Sequence, residues 1–494
     1  MIFDKLLKQT DLRIVATGGS GNPDIADISC DSRTVGKGDL FVAIPGTKMQ
    51  GDAFIADAVG RGAAAVVSGN KPDNVTVPWV QIENPRRALG LLGKTLWQVN
   101  VDAMQLVGIT GTNGKTTTAH LYKKLFEQRF GAERVWMFGT IDYQLGTVTM
   151  AASHTTPESI DLFRLIGKAG ARPPKAVVME VSSHSLALDR VGGLVFDVAV
   201  FTNLTQDHLD FHQTMENYYQ AKKRLFTDFL KKDGCCVVNI DDPYGKRLAV
   251  EIGGRRCATF GKSADADVRI VDAECSWDGT TIELDARGKR LRIASALRGF
   301  FNVYNMTGLY AGAVALSFDE KVIERAFASV ETVQGRMDRV MLDAPFSVIV
   351  DYAHSPDALV NILQTSRPLT KGKLICVFGC GGDRDRTKRP LMGKAVADFS
   401  DEAVVTSDNP RSERPESIIE EIIAGMPLDF PHRVIADRRQ AVRKAMEIAR
   451  AGDCVVIAGK GHETYQEIKG VRYPFNDRDM AVEMYKAIKK NGHA

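Results

Sequence analysis

Short apolar runs separated by more polar, helical stretches recur along the chain and predict a layered α/β protein. In the middle of the chain the runs cover residues 104–110, 176–181 and 195–201. Five more runs follow, beginning at Ser347, Lys373, Glu402, His432 and Cys454. The five are spaced by roughly the 20–30 residues of a βαβ unit. Apolar strands that alternate with helices indicate parallel sheets covered on both faces.

The same pattern divides the chain into three predicted domains. Residues 1–98 have shorter β-like runs between glycine-rich turns, followed by a helical stretch over 85–98, which predicts a small α+β domain. We predict that residues 99–334 form a central domain with a parallel sheet, and its glycine-rich segment, described below, makes it a P-loop domain. We predict that residues 335–494 form a C-terminal Rossmann-like α/β domain. A chain of 494 residues is long enough for three domains of about 150 residues.

Composition narrows the class of protein. The 64 Lys and Arg nearly balance the 61 Asp and Glu, and no long basic block occurs, so nothing points to nucleic acid. No apolar run approaches the ~18–20 residues of a membrane-spanning helix, and charges interrupt the N-terminal stretch. The eight cysteines lack paired metal-site spacing. We expect a reduced, cytoplasmic protein that does not insert into membranes.

A glycine-rich segment after the first central run carries the strongest chemical signal. In GITGTNGKTTTAHLYKKLF, Gly111, Gly114, Lys115 and Thr116 lie between a predicted strand and a predicted helix. Backbone N–H groups at a helix start bind phosphate, the lysine reaches its oxygens, and the threonine hydroxyl holds Mg²⁺. Ile109 replaces the first glycine of the strict motif. The alternative is a simple turn with a solvated lysine, but the combined register favours nucleotide binding.

Three residues beyond this loop are weaker candidates. Glu180 lies near the end of the 176–181 run, where a carboxylate can share a metal with the phosphate-loop threonine. His208 follows the next run, and Lys222 lies in a predicted helix. Taken alone, the histidine is better explained as a hydrogen-bonded loop residue and the lysine as a solvated one.

Ordered motifs along nearly the whole chain resemble the Mur ligases, ATP-dependent amide-forming enzymes of peptidoglycan synthesis. The motifs include CDSR, GTNGKTTT, MEVSSHSLALDRV, FTNLTQDHLDFH, FNVYN, GCGGDRD, DNPR and GKGHE. The resemblance implies that ATP phosphorylates the D-glutamate γ-carboxylate of UDP-N-acetylmuramoyl-L-Ala-D-Glu, after which an amine attacks the acyl phosphate. The motif combination is most similar to members that add meso-diaminopimelate. We expect a monomer acting on these small molecules.

The resemblance also assigns roles in phosphoryl transfer. It implies catalytic roles for Lys115, Glu180, His208 and Lys222. It implies a Mg²⁺ site at Thr116, Glu180, His208 and Lys222, the last as a carbamate whose added carboxylate turns a cation into a metal ligand. The implied ATP-binding residues are Gly111, Thr112, Asn113, Gly114, Lys115, Thr116, Thr117, Asn302, Asn305, Arg336 and Asp351.

A second implied set binds the UDP-muramoyl dipeptide. It comprises Ser32, Thr47, Lys48, Met49, His154, Thr155, Thr156, Ser182, Leu188 and Arg190. Two positions depart from the pattern, because some members carry Asn in place of His154 and Gln in place of Leu188. Both departures concern peptide contacts rather than the phosphate chemistry.

A third implied set binds meso-diaminopimelate after three strands of the last domain. It comprises Arg384, Asp408, Asn409, Pro410, Arg411, Gly459 and Glu463. Arginine suits carboxylates because its planar fork donates two parallel hydrogen bonds, and Glu463 can accept from the distal ammonium.

Arg411 has two competing interpretations. Local sequence favours a surface residue after an Asp-Asn-Pro turn, with Pro415 beginning a helix. The resemblance reverses this preference, because members that select diaminopimelate carry DNPR whereas lysine-selecting members usually lack this arginine. An arginine repels the ammonium of lysine and attracts a distal carboxylate. No implied role reaches Arg414, which we interpret as a surface residue.

Three alternatives stay open at this point. One is the L-lysine-adding ligase of the same family, and another is a relative such as folylpolyglutamate synthase. The early CDSR and GDLFVAIPG segments disfavour the folate relative. The third is an ATP-binding regulatory module that has the phosphate loop but no ligase activity.

Overall fold

The structure is a computed structural model that describes residues 1–46, 49–170, 172–330 and 332–490. The chain forms two compact units. The first comprises residues 1–110, 129–199 and 221–235, and the second comprises residues 111–128, 200–220 and 236–494. The domain boundaries at 98/99 and 334/335 stay predictions.

The N-terminal region of the first unit is a five-stranded sheet with three helices. Its elements are α1 (Phe3–Gln9), β1 (Ile14–Gly18), β2 (Ile28–Ser29), β3 (Leu40–Ala43), α2 (Ile55–Gly60), β4 (Ala65–Ser68), β5 (Trp79–Ile82) and α3 (Pro85–Leu96). The strand order is β1-β5-β4-β3-β2, with only β1 antiparallel to its neighbour. Strand β3 is buried throughout because Leu40 and Val42 face one apolar cluster while Phe41 and Ala43 face another.

The middle of the chain contributes segments to both units. Its elements are β6 (Gln105–Thr110), α4 (Lys115–Phe130), β7 (Val135–Phe138), β8 (Asp142–Leu145), β9 (Val148–Ala151), α5 (Ser159–Lys168), β10 (Ala176–Glu180), α6 (Ser183–Ala187), β11 (Phe196–Phe201), α7 (Leu209–His212), α8 (Met215–Thr227) and β12 (Leu230–Asn239). Strands β6, β10 and β7 are parallel, as predicted. Strands β8 and β9 add an antiparallel edge, which was not predicted because β9 is exposed along its whole length.

An antiparallel meander follows in the second unit. The elements are α9 (Pro243–Glu251), β13 (Arg256–Gly261), β14 (Val268–Cys275), β15 (Thr280–Ala286), β16 (Lys289–Ser295), α10 (Phe300–Ala315) and α11 (Glu320–Ala328). Strands β14, β15 and β16 pair antiparallel. Their buried and exposed positions alternate, so they lack the continuous apolar runs by which parallel strands were predicted.

The last region of the second unit has the predicted doubly wound pattern. Its elements are β17 (Asp338–Val340), β18 (Ser347–Asp351), α12 (Pro356–Ser366), β19 (Leu374–Phe378), α13 (Lys388–Phe399), β20 (Glu402–Val405), α14 (Pro415–Ile423), β21 (His432–Val434), α15 (Arg438–Ile448), β22 (Cys454–Ala458), β23 (Tyr465–Ile468), β24 (Val471–Pro474) and α16 (Asp477–Lys490). The order is β17-β18-β22-β19-β20-β21, with β17 antiparallel and the others parallel. The five predicted strands, the β23–β24 hairpin and the helix start at Pro415 are confirmed.

This topology positions loops for ligand binding. The carboxyl ends of the neighbouring parallel strands β22, β19 and β20 lie at one sheet edge, where ligands of open α/β sheets bind. In the described part of the chain, no helix combines the length and the apolar character needed to cross a membrane. All eight cysteines are free thiols, and burial raises the pKa of Cys380 to about 12, so this thiol stays protonated.

Candidate active site

The phosphate loop joins β6 to α4 and requires its glycines. Gly111 has φ +153°, and an added Cβ would lie 1.9 Å from Thr202 Oγ1. Gly114 has φ +86°, and a Cβ there would lie 2.4 Å from Asn305 Oδ1. Any side chain at these positions would displace neighbours and strain the backbone. The close approach thus explains the two glycines of the predicted motif.

Residues after β11 hold this loop in place. The backbone N–H of Asn113 donates to Asn203 Oδ1 at 2.8 Å, and Thr202 Oγ1 donates to the Asn113 carbonyl at 2.6 Å. Lys115 Nζ donates to the carbonyls of Gly111 and Thr112 at 3.0 and 2.8 Å. The lysine therefore folds over its own loop, with its ammonium on the glycine-rich turn.

A cavity of about 600 Å³ adjoins the loop and lies within the second unit. Among the predicted ATP-binding residues, its lining includes Asn113, Gly114, Thr116, Thr117, Asn305, Arg336 and Asp351. Asn302 supports this wall, since its Oδ1 accepts a hydrogen bond from Asn305 Nδ2 at 2.8 Å. The volume falls in the ~300–1,000 Å³ range of small-molecule sites. One pocket thus unites residues from the middle of the chain with residues after 335.

Arg336 and Asp351 form the far wall. Arg336 Nη2 donates to Thr116 Oγ1 at 3.2 Å, and its guanidinium lies 4.7 Å from the ring centre of Tyr352. The two Asp351 oxygens accept from the backbone N–H groups of Met337 and Ala353 at 2.7 and 2.8 Å. Burial raises the pKa of Asp351. Its predicted contact with ribose stays a prediction.

Asp357 is a pocket residue that the sequence analysis missed. Its Oδ2 accepts hydrogen bonds from Asn113 Nδ2 at 2.8 Å and Asn361 Nδ2 at 3.1 Å, and burial raises its pKa. It lies in the first turn of α12 and connects that helix directly to the phosphate loop. The available signal was its place in SPDAL, just after a predicted strand end.

Predicted His208 lies in a charged group around Asp207, of which Asp207, His354 and Lys388 were missed. His208 Nε2, His354 Nε2 and Lys388 Nζ lie 3.5, 3.7 and 3.6 Å from its carboxylate. Burial opposes the charge of Asp207, but the interactions with His354, His208 and Lys388 outweigh burial and lower its pKa well below the usual range. His208 itself has φ +56°, in the left-handed region.

Residues predicted for the muramoyl-peptide end lie around Glu180 in the first unit. Thr156 Oγ1 donates to the Glu180 carbonyl at 2.7 Å, and the Ser182 N–H donates to Thr156 Oγ1 at 3.1 Å. The Thr140 N–H and hydroxyl donate to the Glu180 carboxylate at 2.9 and 3.0 Å, and the Thr140 and Thr155 hydroxyls lie 3.1 Å apart. Thr140 was missed, although it directly orients the buried carboxylate.

Arg190 belongs to a neighbouring charged group. Its Nε lies 2.8 Å from Glu158 Oε1, and Arg86 Nη1 lies 3.8 Å from the same oxygen. Burial and the charge of Arg190 lower the pKa of His154. The Leu188 carbonyl accepts from Arg86 Nη1 at 3.4 Å. The two positions that depart from the family pattern therefore both lie beside this cluster.

The remaining predicted residues of the UDP-substrate set are in the N-terminal region. Ser32 is buried and Met49 is exposed. Thr47 and Lys48 lie outside the described residues.

The predicted metal ligands are divided between the units. Thr116 and His208 belong to the second unit, whereas Glu180 and Lys222 belong to the first, where both side chains are buried. The carbamylation of Lys222 stays a prediction. Across the residues described, no three His, Cys, Asp or Glu side chains cluster as a metal site. Only two ligands of the predicted set are of these types.

The predicted amine pocket is built on the loops after β19, β20 and β22. Gly459 has φ +118°, and a Cβ there would lie 2.5 Å from Asp408 Oδ2. Lys460 Nζ is fully buried and donates to Asn409 Oδ1 at 3.1 Å and Glu463 Oε2 at 2.7 Å. Asn409 Nδ2 donates to the same Glu463 oxygen at 2.8 Å. Two predicted residues, Asn409 and Glu463, thus bind a lysine that the sequence analysis missed.

Lys460 also sets the charge of this group. It lies 3.7 Å from Asp408 Oδ1. Burial opposes ionisation of Asp408, but the charges of Lys460 and Arg438 outweigh burial and lower its pKa. Arg438 in turn is fully buried and paired with Asp477, with Nη2 and Oδ2 at 2.7 Å. These buried side chains therefore form a network of paired charges.

The two predicted carboxylate-binding arginines lie on adjoining loops. Arg411 Nη1 donates to the Gly382 carbonyl at 2.7 Å, while Arg384 Nη1 donates to the Asp383 carbonyl at 3.0 Å. A Cβ at Gly382 would lie 2.0 Å from the Pro410 carbonyl oxygen, so the GGD and DNPR segments touch through their backbones.

A buried arginine below these loops holds them together. Arg389 Nη2 lies 2.8 Å from Glu413 Oε1, and its Nη1 lies 2.9 Å from Glu421 Oε2. Glu413 Oε1 also accepts from the Asp383 N–H at 2.6 Å. Both Arg389 and Glu413 were missed by the sequence analysis.

Comparison with known proteins places this architecture in a family. The profile described as "Mur ligase family, catalytic domain" matches residues 24–95, "Mur ligase middle domain" matches 109–315, and "Mur ligase, glutamate ligase domain" matches 335–461. The chain belongs to the Mur ligase family.

Several similar Mur ligases share one name, UDP-N-acetylmuramoyl-L-alanyl-D-glutamate–2,6-diaminopimelate ligase. A relative from Syntrophomonas wolfei subsp. wolfei is 43% identical over 483 residues, covering 96% of this chain and 97% of its own. One from Solibacter usitatus is 44% identical over 466 residues, covering 94% of each. A solved structure of a ligase of that name is 34% identical, with a TM-score of 0.66 and coverage of 95% and 96%.

Several site residues that were not predicted lie inside or beside the motifs of the family. Lys460 is the lysine of GKGHE, and its place in that motif is the sequence signal for it. Arg389 and Lys388 follow GGDRDRT in the same way. Arg414 pairs with Glu416 on the surface, as its interpretation as a surface residue predicted.

Proposed function

We propose that this Mur ligase joins meso-2,6-diaminopimelate to the D-glutamate γ-carboxylate of UDP-N-acetylmuramoyl-L-alanyl-D-glutamate and converts ATP to ADP and phosphate. The observation that carries the proposal is the position of Arg411 beside Gly382, on the same sheet edge as Glu463. Such a pair suits an amino acid with a carboxylate and an ammonium at its distal end. The shared name of the 43–44% identical relatives supports the same activity.

The chemistry requires ATP because a carboxylate is a poor electrophile until one oxygen becomes a leaving group. Transfer of the γ-phosphoryl group to the glutamate carboxylate forms an acyl phosphate. The amine then attacks the carbonyl carbon, and the tetrahedral intermediate expels phosphate to leave the amide. Lys115 and the backbone N–H groups of the phosphate loop stabilise negative charge on the transferred group.

Mg²⁺ is the expected partner of ATP in this reaction. The proposed ligands remain Thr116, Glu180, His208 and carbamylated Lys222. Three of the four ligands would offer oxygens, from a hydroxyl, a carboxylate and a carbamate, and oxygens are the donors that Mg²⁺ prefers. When bound, the ion neutralises charge on the phosphates. We also propose that the enzyme is a cytoplasmic monomer.

One assay tests the proposed function. Phosphate release is measured with ATP and Mg²⁺ while UDP-muramoyl dipeptide, meso-diaminopimelate and L-lysine are supplied or withheld one at a time. We expect turnover only with the dipeptide and an amino acid together, and strongly in favour of meso-diaminopimelate. Preference for L-lysine would identify the lysine-adding ligase instead. ATP turnover without an amino acid would indicate a regulatory ATPase and contradict the proposal.

A further inference from the structure

The DNPR turn is fixed to the β23–β24 hairpin by several hydrogen bonds, two of which involve the backbone of Glu467. The Glu467 N–H donates to Asn409 Oδ1 at 2.9 Å, and the Glu467 carbonyl accepts from the Arg411 N–H at 3.1 Å. The Arg411 carbonyl then accepts from the Lys469 N–H at 2.7 Å. Both backbone groups of Glu467 are therefore bound to the turn, and its side chain is held beside Arg411.

The Glu467 carboxylate faces the part of Arg411 that a substrate needs. Its Oε2 lies 3.7 Å from Arg411 Nε, and the two side chains are 24% and 22% exposed. A carboxylate binds arginine bidentately through two neighbouring nitrogens. Because Arg411 Nη1 already donates to Gly382, the edge formed by Nε and Nη2 is the one at which an incoming carboxylate meets Glu467.

We propose that Glu467 is a specificity-determining residue that competes with the distal carboxylate of the incoming diamino acid for Arg411. Its negative charge also offsets the repulsion between Arg411 and an amino acid whose distal end carries only an ammonium. Glu467 thus weakens binding of meso-diaminopimelate and narrows the discrimination against lysine. This inference rests on the proposed function of the amine pocket.

The neighbouring charged residues Glu463 and Arg472 are engaged in other contacts. Glu463, the other acidic residue of the pocket, is bound to Lys460 at 2.7 Å. Arg472 is the cross-strand partner of Glu467 on β24, but its guanidinium lies over the Tyr465 ring at 4.4 Å from the ring centre. The Glu467 charge is therefore directed mainly at Arg411. Since the pair is partly exposed, water screens it, and effects of about two- to fivefold are expected.

The test compares the wild-type enzyme with Glu467→Gln, which keeps the backbone contacts and removes only the charge. KM is measured separately for meso-diaminopimelate and for L-lysine with ATP and UDP-muramoyl dipeptide saturating. We expect KM for meso-diaminopimelate to fall about two- to fivefold and KM for lysine to rise by a similar factor. Glu467→Asp restores the charge and should return both values toward those of the wild type.

The chain offers a matched control in the same segment. Arg414 and Glu416 form an ion pair of almost equal length, 3.8 Å, but with side chains 80% and 57% exposed. Glu416→Gln should leave both KM values as in the wild type. Unchanged values in Glu467→Gln, or shifts in the same direction for both amino acids, would overturn the inference. Failure of the wild-type enzyme to use meso-diaminopimelate would instead contradict the proposed function, so the two failures are distinct.

Discussion

The cavity beside the phosphate loop and the proposed amine pocket lie in the same unit but are built by different means. The cavity depends on the backbone of the phosphate loop, which has two glycines that admit no side chain and is held by residues after β11. The amine pocket depends on side-chain charges that are already paired, including Lys460 with Glu463 and Arg438 with Asp477. One site is specified by shape, the other by charge balance.

Because of this difference, we expect mutations in one site to affect phosphoryl transfer and mutations in the other to affect the choice of amine substrate. Backbone donors treat every phosphate alike, so changes at the phosphate loop should abolish turnover whichever amine is present. A network of paired charges can be retuned by one substitution, because removing a single charge changes what the remaining charges attract. Changes in the amine pocket should therefore alter the preferred amine before they abolish catalysis.

The largest expected effect comes from Lys115→Ala. Loss of the ammonium that stabilises charge on the transferred phosphoryl group should lower kcat by at least ~100-fold, and equally with meso-diaminopimelate and lysine. Phosphate release with each amine measures the effect. The control is Lys124→Ala, on the same helix and paired with Glu127, which should retain activity. Retained turnover in Lys115→Ala would mean that the loop does not act on ATP.

Lys222→Ala tests the proposed metal site, whose loss should affect both amines alike. We expect activity to fall about 100-fold, because a metal ligand on the phosphoryl-transfer site is lost. Acetate or formate should restore part of the activity by supplying the missing carboxylate. Lys223→Ala, the neighbouring substitution on α8, serves as the control. Full activity of Lys222→Ala without added carboxylate would end the carbamate hypothesis.

Arg411→Ala should change selection more than chemistry. Removing a charged hydrogen-bond donor should raise KM for meso-diaminopimelate about 10- to 100-fold, while KM for L-lysine should change little or fall. KM values for both amino acids give the ratio directly. Arg414→Ala, three residues along the chain, should leave that ratio unchanged. An equal increase of KM for both amino acids would contradict the proposed role of Arg411 in substrate selection.

The smallest effect concerns His462, whose ring centre lies 4.9 Å from that of Tyr352, the ring that the Arg336 guanidinium covers. Burial and the charges of Arg336 and His120 lower its pKa from the usual 6.5 to about 3. The unfolded chain therefore binds one more proton between these pH values, so stability is lost as pH falls below 6.5. At pH 5 the loss is about 1–2 kcal/mol.

His462→Gln should remove that loss. The fall in Tm between pH 7.5 and pH 5 should be about 2–4 °C smaller in this variant than in the wild type. His432→Gln, on the edge strand β21, controls for loss of an imidazole outside both sites. A fall in Tm that is the same in His462→Gln and the wild type would show that His462 titrates normally.

Features determined by nearby residues were predictable from the sequence. The apolar runs of β18, β19, β20 and β22 and the glycine pattern of the phosphate loop involve neighbours only a few positions apart. In contrast, Asn113 and Asp357 are 244 residues apart, and Asn409 and Lys460 are 51 apart. No local pattern can indicate such partners, because the fold alone brings them together.

Arg411 has some features that follow from the local sequence and others that only the fold creates. Its turn and the helix at Pro415 follow from local residue types, and the structure has them. Its role in selecting the amine rested on resemblance and stays a prediction, but the contacts with Gly382 and Glu467 now define the surroundings in which it would act. The antiparallel strands β14 to β16 were missed for a different reason, since alternating half-buried strands carry a weak signal.

The left-handed backbone of Arg411 has a consequence for engineering. Its φ of +50° disfavours any residue with an ordinary side chain by roughly 1 kcal/mol, whereas glycine and asparagine accept this conformation readily. The turn therefore gives up some stability to keep an arginine at this position. Selection for higher thermal stability would therefore favour replacement of Arg411. The most stable variants recovered should then have lost the preference for one amine that we assign to this residue.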